Sequence, residues 1–352
     1  MSLIPVIGDM HIGARNDNLA LMEHQLKFFE NTFFPYLEKN GCSLVFQTGD
    51  LFDRRKYSNH ATIDVWKKRF FDVLSGMNVK LITIIGNHDM PFKNTVKINT
   101  PSLLLEEYSN ITIVESPTTI NGILCLPWIC SENQKEIMDE VEKSRVFVCM
   151  AHLELQGYET YRGIFSDKGL SGDLFSAFDL VLSGHFHHKS SRDNIRYVGT
   201  PYEMTWNDYG DERGFHVLDT SSNELTFIKN PLKMHNKVHY DDTGIKSFDV
   251  LCEGMNFQKL SGTFVKVIVS SKTNPYFYDQ YIDQIEKVNP INIVAVEDPL
   301  NLSLDNEKDI IEGAENVLDI LHQYVEGIDA QVDKIRLETF LSGLYQEALA
   351  VE

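Results

Sequence analysis

The chain of 352 residues predicts an α/β fold, and three observations carry that prediction. Short, near-continuously apolar, β-rich runs recur along its first half, helix-like patterns alternate with them, and each run ends in polar, ligand-type residues. Apolar strands alternating with helices belong to sheets buried on both faces. In such sheets ligands gather beyond the carboxyl ends of the strands, where these polar residues fall.

Strands are expected over residues 3–7 before Gly8-Asp9, 44–47 before Thr48-Gly49-Asp50, and 79–85 before Gly86-Asn87-His88-Asp89. Between them, apolar residues at spacings of three and four predict helices over 19–37 and 62–74. Two further strands, 145–150 and 178–182, lead into Ala151-His152 and Ser183-Gly184-His185. Beyond Gly184 the texture changes to short strands with little helix, at 195–198, 214–218 and 225–228. A strand at 263–269, a helix at 278–288 and a strand at 291–296 predict a small second α/β domain. After a linker at Pro299 come two amphipathic helices. One carries Ile310, Ala314, Val317, Leu318, Leu321, Tyr324 and Val325, the other Leu337, Phe340, Leu341, Leu344, Tyr345 and Ala348.

Composition narrows the function classes. Hydrophobic content of 43 % supports a packed core, and no apolar run approaches the ~20 residues that span a bilayer. The N-terminus lacks the basic region of a signal peptide, and five cysteines without a C-x-x-C pair predict a reduced, cytoplasmic protein. Lys and Arg total 32 against 51 Asp and Glu, a net charge of −19, which argues against a general polyanion-binding surface. From Glu297 to Glu352 there are 14 acidic and 3 basic residues, leaving a net charge of −8 for residues 1–296. The acidic tail is therefore not the part expected to meet nucleic acid.

Five segments carry the chemistry: Gly8-Asp9-Met10-His11, Gly49-Asp50-Leu51-Phe52-Asp53, Gly86-Asn87-His88-Asp89, Ala151-His152 and Gly184-His185-Phe186-His187. Asp9 and His11, like His185 and His187, are expected to alternate on extended chain and project to one side. One such pair alone reads as a turn or a helix cap. Five at successive strand ends read as a site. Carboxylate, imidazole and amide donors without thiolate suit Mn²⁺, Fe²⁺ or Zn²⁺. The supply is enough for two ions ~3.5–4 Å apart, a spacing that activates water and clamps a phosphoryl group. Asp50 is the natural shared carboxylate.

The set resembles the signature of the calcineurin-like metallophosphoesterase superfamily: D-x-H, GD-x-x-D, GNH-D/E, a lone His, then GH-x-H. More closely, the chain resembles SbcD-type recombination and double-strand-break repair nucleases, in particular the phage type that works with an SbcC-like ATPase. Residues 126–133, 197–202 and 213–216 (LPWICSEN, YVGTPY and RGFH) add to the likeness, which covers roughly 1–230 well and the last ~25 residues suggestively. The resemblance implies a four-layer α/β/β/α sandwich over 1–231, a small DNA-contacting α/β cap over 232–300, and a tail over 301–352.

It also implies roles. One metal falls to Asp9, His11, Asp50 and His187, the other to Asp50, Asn87, His152 and His185, with Mn²⁺ expected and Mg²⁺, Fe²⁺ or Zn²⁺ as alternatives. His88 is the phosphate-facing acid and Asp89 the group that orients it. Eukaryotic and archaeal relatives have histidine at the position of Asp53, whereas bacterial members have aspartate. Between catalysis and bracing of the site, bracing is the expected part for Asp53. Implied partners are DNA and a coiled-coil SbcC-like ABC-type ATPase, in a heterotetramer built on a homodimer of this chain, without a membrane. For a phage protein the place is the host cytoplasm.

Cations beside the motifs, Arg54, Arg55, Lys56, Arg162, Lys168, Lys189 and Arg192, are candidates for DNA phosphates, and Tyr158 or Tyr161 for base stacking. Leu337, Phe340, Leu341, Leu344 and Tyr345 are the candidate ATPase-binding stripe. The implied activity is 3′–5′ exonuclease and single-strand endonuclease. Two rivals are another dinuclear phosphoesterase (a protein phosphatase or cyclic-nucleotide phosphodiesterase) and a non-catalytic metal-binding scaffold.

Overall fold

The computed structural model describes residues 3–161 and 163–297, together with Val325, Lys334, Leu337 and Leu341. The chain forms two compact units: Met1–Met204 with Gly210–Met234, and Thr205–Tyr209 with the chain from His235 on.

The first unit runs β1 (Leu3–Ile7), β2 (Leu44–Gln47), β3 (Lys80–Ile84) and β4 (Ile111–Val114), then β5 (Thr118–Ile120), β6 (Ile123–Leu126) and β7 (Val148–His152). A hairpin of β8 (Glu159–Tyr161) and β9 (Ile164–Phe165) precedes β10 (Leu180–Gly184), β11 (Ser190–Arg192) and β12 (Ile195–Tyr197). The last two strands are β13 (Gly214–Asp219) and β14 (Glu224–Lys229). Among the described residues they make two six-stranded sheets, ordered β14-β13-β1-β2-β3-β4 and β11-β12-β10-β7-β6-β5. In each, the central strands are parallel and the outer pairing is antiparallel at one edge or both.

Apolar side chains from both sheets share one core. Val6, Phe46, Ile82 and Ile84 come from the first sheet, and Ile123, Cys125, Val148, Met150 and Leu182 from the second. The outer face of the second sheet (Leu124, Cys149, Val181) is covered by Ile137 and Val141 of helix Gln134–Lys143. On the first sheet, Phe215 of β13 meets Phe28 and Phe33 of the helical stretch 19–40. That stretch and the helical stretch 60–76 each contain one π-helical turn, Phe29–Phe33 and Lys67–Phe71. The widened turns face each other, with the Phe29 and Phe70 rings 4.6 Å apart. The layers therefore run α/β/β/α.

β7 and β10 each end two residues later than the sequence suggested, because the apolar run at 145–150 starts on exposed residues such as Phe147. His152 thus closes a central strand. Strands β4–β6 are short, and the sequence pattern did not separate them from loops.

The second unit holds a three-stranded parallel sheet, β15 (His235–Asp241), β16 (Phe264–Ser271) and β17 (Asn292–Glu297), in that order. The helix Pro275–Glu286 links β16 to β17; Asn274 caps it by accepting from the Tyr276 amide, and Pro275 starts it. Tyr281 and Ile285 bury against Tyr240, Val265 and Val267. In the tail, Leu337 and Leu341 are helical and half-buried. Phe340, Leu344, Tyr345 and the linker lie outside the described residues, as does the first tail stripe apart from buried Val325.

Candidate metal centre

The motif loops leave the carboxyl ends of β1, β2, β3, β7 and β10 and converge. Glycine is needed where they touch: a Cβ at Gly86 would overlap the Asp50 carboxylate, and one at Gly184 the Asp9 carboxylate. The expectation of extended chain at the histidine pairs is corrected here. His11, Asp50 and His185 have left-handed backbones, with φ of 46°, 52° and 90°. The chain therefore turns at each, and His185 and His187 point into different clusters. Such strained backbone persists where surrounding contacts over-determine it. Here the amides of Met10 and His11 both donate to the Asp50 carbonyl at 3.0 Å, and the Tyr202 hydroxyl donates to the Met10 carbonyl at 2.5 Å.

Two groups of donors with no residue in common result, and a third, His11, Asp53 and His88, overlaps the first. Asp9, His11 and His187 bring one ligand atom each within 4.8 Å of one another, as do Asp50, His152 and His185. Asn87 joins the second group, its Oδ1 lying 3.0 Å from His152 Nε2 and 2.9 Å from His185 Nδ1. Asp50 Oδ2 lies between the groups, 3.9 Å from His11 Nε2 and 3.3 Å from His152 Nε2. His152 Nδ1 donates to the Thr48 carbonyl at 2.8 Å, which leaves the Nε2 lone pair facing the centre. His11 Nδ1 lies 3.2 Å from Asp53 Oδ1, so a carboxylate stands behind that ring in the same way.

Asp89 sits differently from expectation. The His88 amide donates to Asp50 Oδ1 at 2.7 Å, and its ring Nδ1 lies 2.7 Å from the Asp53 carbonyl. Asp89 does not hold that ring. Its carboxylate accepts from the amides of Gly86, Leu51 and Phe52 at 2.9–3.3 Å, tying the third loop to the second. The side chain that follows the histidine turns inward under the loop, so its neighbours are amides.

The electrostatics show what the donors lack. Burial pushes the Asp9 carboxyl up to about 7, and burial with the nearby Asp50 charge does the same for Asp89. Burial opposes protonation of His11 and His152, yet the carboxylates Asp53 and Asp50 outweigh it and raise both to about 9. His185 is driven down to about 3 by burial and by His152, and His187 is held well below its ordinary value by burial and His11. His11 Nε2 and His187 Nε2 also face each other at 3.0 Å. Protons alone leave like donors opposed and buried carboxyls neutralised. A cation in each group would satisfy the opposed histidines and the Asp9 and Asp50 carboxylates, so the residues fit two divalent ions. Ions held there activate a water and neutralise phosphoryl oxygens.

The candidate DNA contacts divide. Arg54 is engaged within the protein, 2.6 Å from Asn16 Oδ1 and 3.5 Å from Asp17 Oδ2. Lys189 lies 3.6 Å over the Phe227 ring and 3.6 Å from Glu212. Arg55 is half-buried and has no ion-pair partner among the described residues. Tyr158 is corrected: it is 5 % exposed in the core of the second sheet against Tyr197, and a buried ring offers no stacking face. Arg162 lies outside the described residues. Sequence reasoning missed Arg213 as a positioning residue. This buried guanidinium donates to the His187 carbonyl and, at 2.6 Å, to Thr200 Oγ1, holding the last ligand loop. Its place in the RGFH segment was the available signal.

Residues 3–189 match the calcineurin-like phosphoesterase family model, and the chain belongs to that family. Members of the family use dinuclear metal centres, in agreement with the two donor groups. The chain is 30 % identical over 348 residues to exonuclease subunit 1 of Enterobacteria phage T4, covering 97 % of this chain and 98 % of that one. It is 24 % identical to the SbcD component of the nuclease SbcCD of Staphylococcus epidermidis, over 64 % of this chain and 68 % of the relative. It is 28 % identical to the DNA double-strand break repair protein Mre11 of Sulfurisphaera tokodaii, over 51 % of this chain and 48 % of the relative. Among the described residues, no helix is long and apolar enough to cross a membrane.

Proposed function

We propose that the chain is a metal-dependent DNA nuclease, a 3′–5′ exonuclease with single-strand endonuclease action, and the nuclease subunit of an ATPase-nuclease complex for recombination and double-strand-break processing. One observation carries the reading: Asp50 lies between the two donor groups, 3.9 Å from His11 Nε2 and 3.3 Å from His152 Nε2, and the His88 ring stands beside them with one nitrogen already committed. Nδ1–H donates to the Asp53 carbonyl, so Nε2 is the nitrogen free to hold a proton. From there the proton passes to the departing 3′ oxygen as the phosphodiester breaks. The His88 amide on Asp50 fixes the acid relative to both donor groups.

The near-full-length likeness to a phage exonuclease subunit supports exonuclease action, and the likeness to a DNA double-strand break repair protein supports DNA as substrate. Mn²⁺ is the proposed working ion, and the donor set suits Fe²⁺ or Zn²⁺ as well. The second unit contacts DNA as a cap, the tail stripe binds the coiled coil of the SbcC-like ATPase, and the chain pairs as a homodimer within a heterotetramer in the host cytoplasm.

The test is cleavage of end-labelled duplex and single-stranded DNA with Mn²⁺ by wild type and His88→Ala. Turnover is expected to fall about 10²–10⁴-fold in the variant with both ions retained. Loss of metal in His88→Ala would make it a ligand and overturn the assignment.

A further inference from the structure

Beside the second donor group lies a cleft of about 200 Å³ that the hydrolysis itself does not use. Its apolar walls are Trp128, Ile129 and Leu170, its polar edge is Gln134 and Glu154, and His152 closes the end toward the metal centre. A space of this size is ample for one heteroaromatic ring system.

Trp128 is built as a fixed wall. Its amide donates to the Ile85 carbonyl at the end of β3 at 2.7 Å, and its carbonyl accepts from Asn133 Nδ2 at 3.0 Å. Its ring lies 5.0 Å from that of His185 and 5.7 Å from that of His152, and the indole is half-buried. The remainder faces the cleft.

Among the described residues no lysine or arginine lines the cleft, and Glu154 stands at its edge, a lining that favours a neutral ring over a phosphate. It suits a flat, neutral ring whose rim donates hydrogen bonds to a carboxylate and exchanges them with an amide. We propose that the cleft is a nucleobase subsite. Trp128 stacks on the base flanking the scissile phosphate, and Gln134 and Glu154 meet its polar edge. The inference rests on the DNA-hydrolysing reading above and adds to it how the enzyme grips a nucleotide beside the metal centre. Stacking of this kind is sequence-tolerant, because every base has a π face.

The experiment compares two end-labelled single-stranded oligonucleotides with Mn²⁺, one with a normal terminal nucleotide and one whose terminal residue is abasic. Wild type is expected to show a KM about 10-fold higher on the abasic substrate. Trp128→Ala should raise KM on the normal substrate by a similar factor and abolish the difference, while Trp128→Phe should keep most of it. As a readout apart from turnover, deoxyadenosine monophosphate should quench Trp128 emission, deoxyribose 5-phosphate should not, and Trp128→Phe should remove the quenching. If wild type treats the two substrates alike, or Trp128→Ala lowers kcat equally on both and leaves their KM ratio intact, Trp128 only walls the histidines and the proposal fails. Failure of wild type to cut either substrate would instead strike the nuclease reading, and the inference with it.

Discussion

Asp9, His11 and His187 stand on loops beyond their strands, whereas His152 ends central strand β7 and Asn87 and His185 lie against it. The His152 side chain is completely buried, while that of His187 is 24 % exposed. The backing groups differ too. His152 rests on a backbone carbonyl of the core, and His11 faces the side chain of Asp53, which is partly exposed. His152 is thus part of the folded interior, whereas His187 stands on a loop that Arg213 pins. The lesson is that loss of His152 should cost stability and loss of His187 mainly metal.

The largest expected effect is in His152→Ala. Removing an interior imidazole leaves the Thr48 carbonyl and Asn87 without their partner, and the metal-free protein should lose about 3 kcal/mol in denaturant unfolding. His187→Ala should change it by less than about 1 kcal/mol yet lose metal as thoroughly. Equal destabilisation by the two would erase the distinction.

A smaller effect is expected in Asp53→Asn, which replaces the carboxylate behind His11. Affinity for one ion should fall about 10–100-fold in calorimetric titration, with the other site unaffected. Weakening of both sites alike would mean that Asp53 does not act through His11.

The pH dependence sharpens the comparison further. In the metal-free protein His11 and His152 titrate near 9 and Asp9 near 7, each raised above its ordinary value. Raised groups favour the folded state at low pH and lose that contribution as pH climbs through the shifted value. Asp9 should therefore cost metal-free stability between about pH 4 and 7, and the two histidines between about pH 6.5 and 9. Mn²⁺ affinity should rise over the latter interval, because binding needs the deprotonated donors, with about two protons released near pH 8. Calorimetry in buffers of different ionisation enthalpy counts them, and an affinity independent of pH would show that these donors do not meet the ion.

Much of this was legible in the sequence because strand ends announce themselves. The run 3–7 is apolar throughout and the run 44–47 up to Gln47, and the glycines after them mark where backbones must touch. The left-handed turns at His11 and His185 were not legible, since an alternating D-x-H or H-x-H looks extended until a neighbouring loop forces it to bend. Asp89 was misread because a carboxylate beside a histidine suggests a pair, whereas three converging amides from two loops are visible only in space. Tyr158 looked like a loop residue, yet Tyr197 and the second sheet bury it. Arg213 shows no local period or charge pattern, and its task depends on a carbonyl 26 residues away in sequence.

The claim beneath all of this is that Asp50 bridges two cations. Anomalous diffraction from crystals soaked in Mn²⁺ tests it directly. Two peaks are expected, one against Asp9, His11 and His187 and one against Asn87, His152 and His185, with an Asp50 oxygen in contact with both. A single peak, or manganese bound without Asp50, would contradict it.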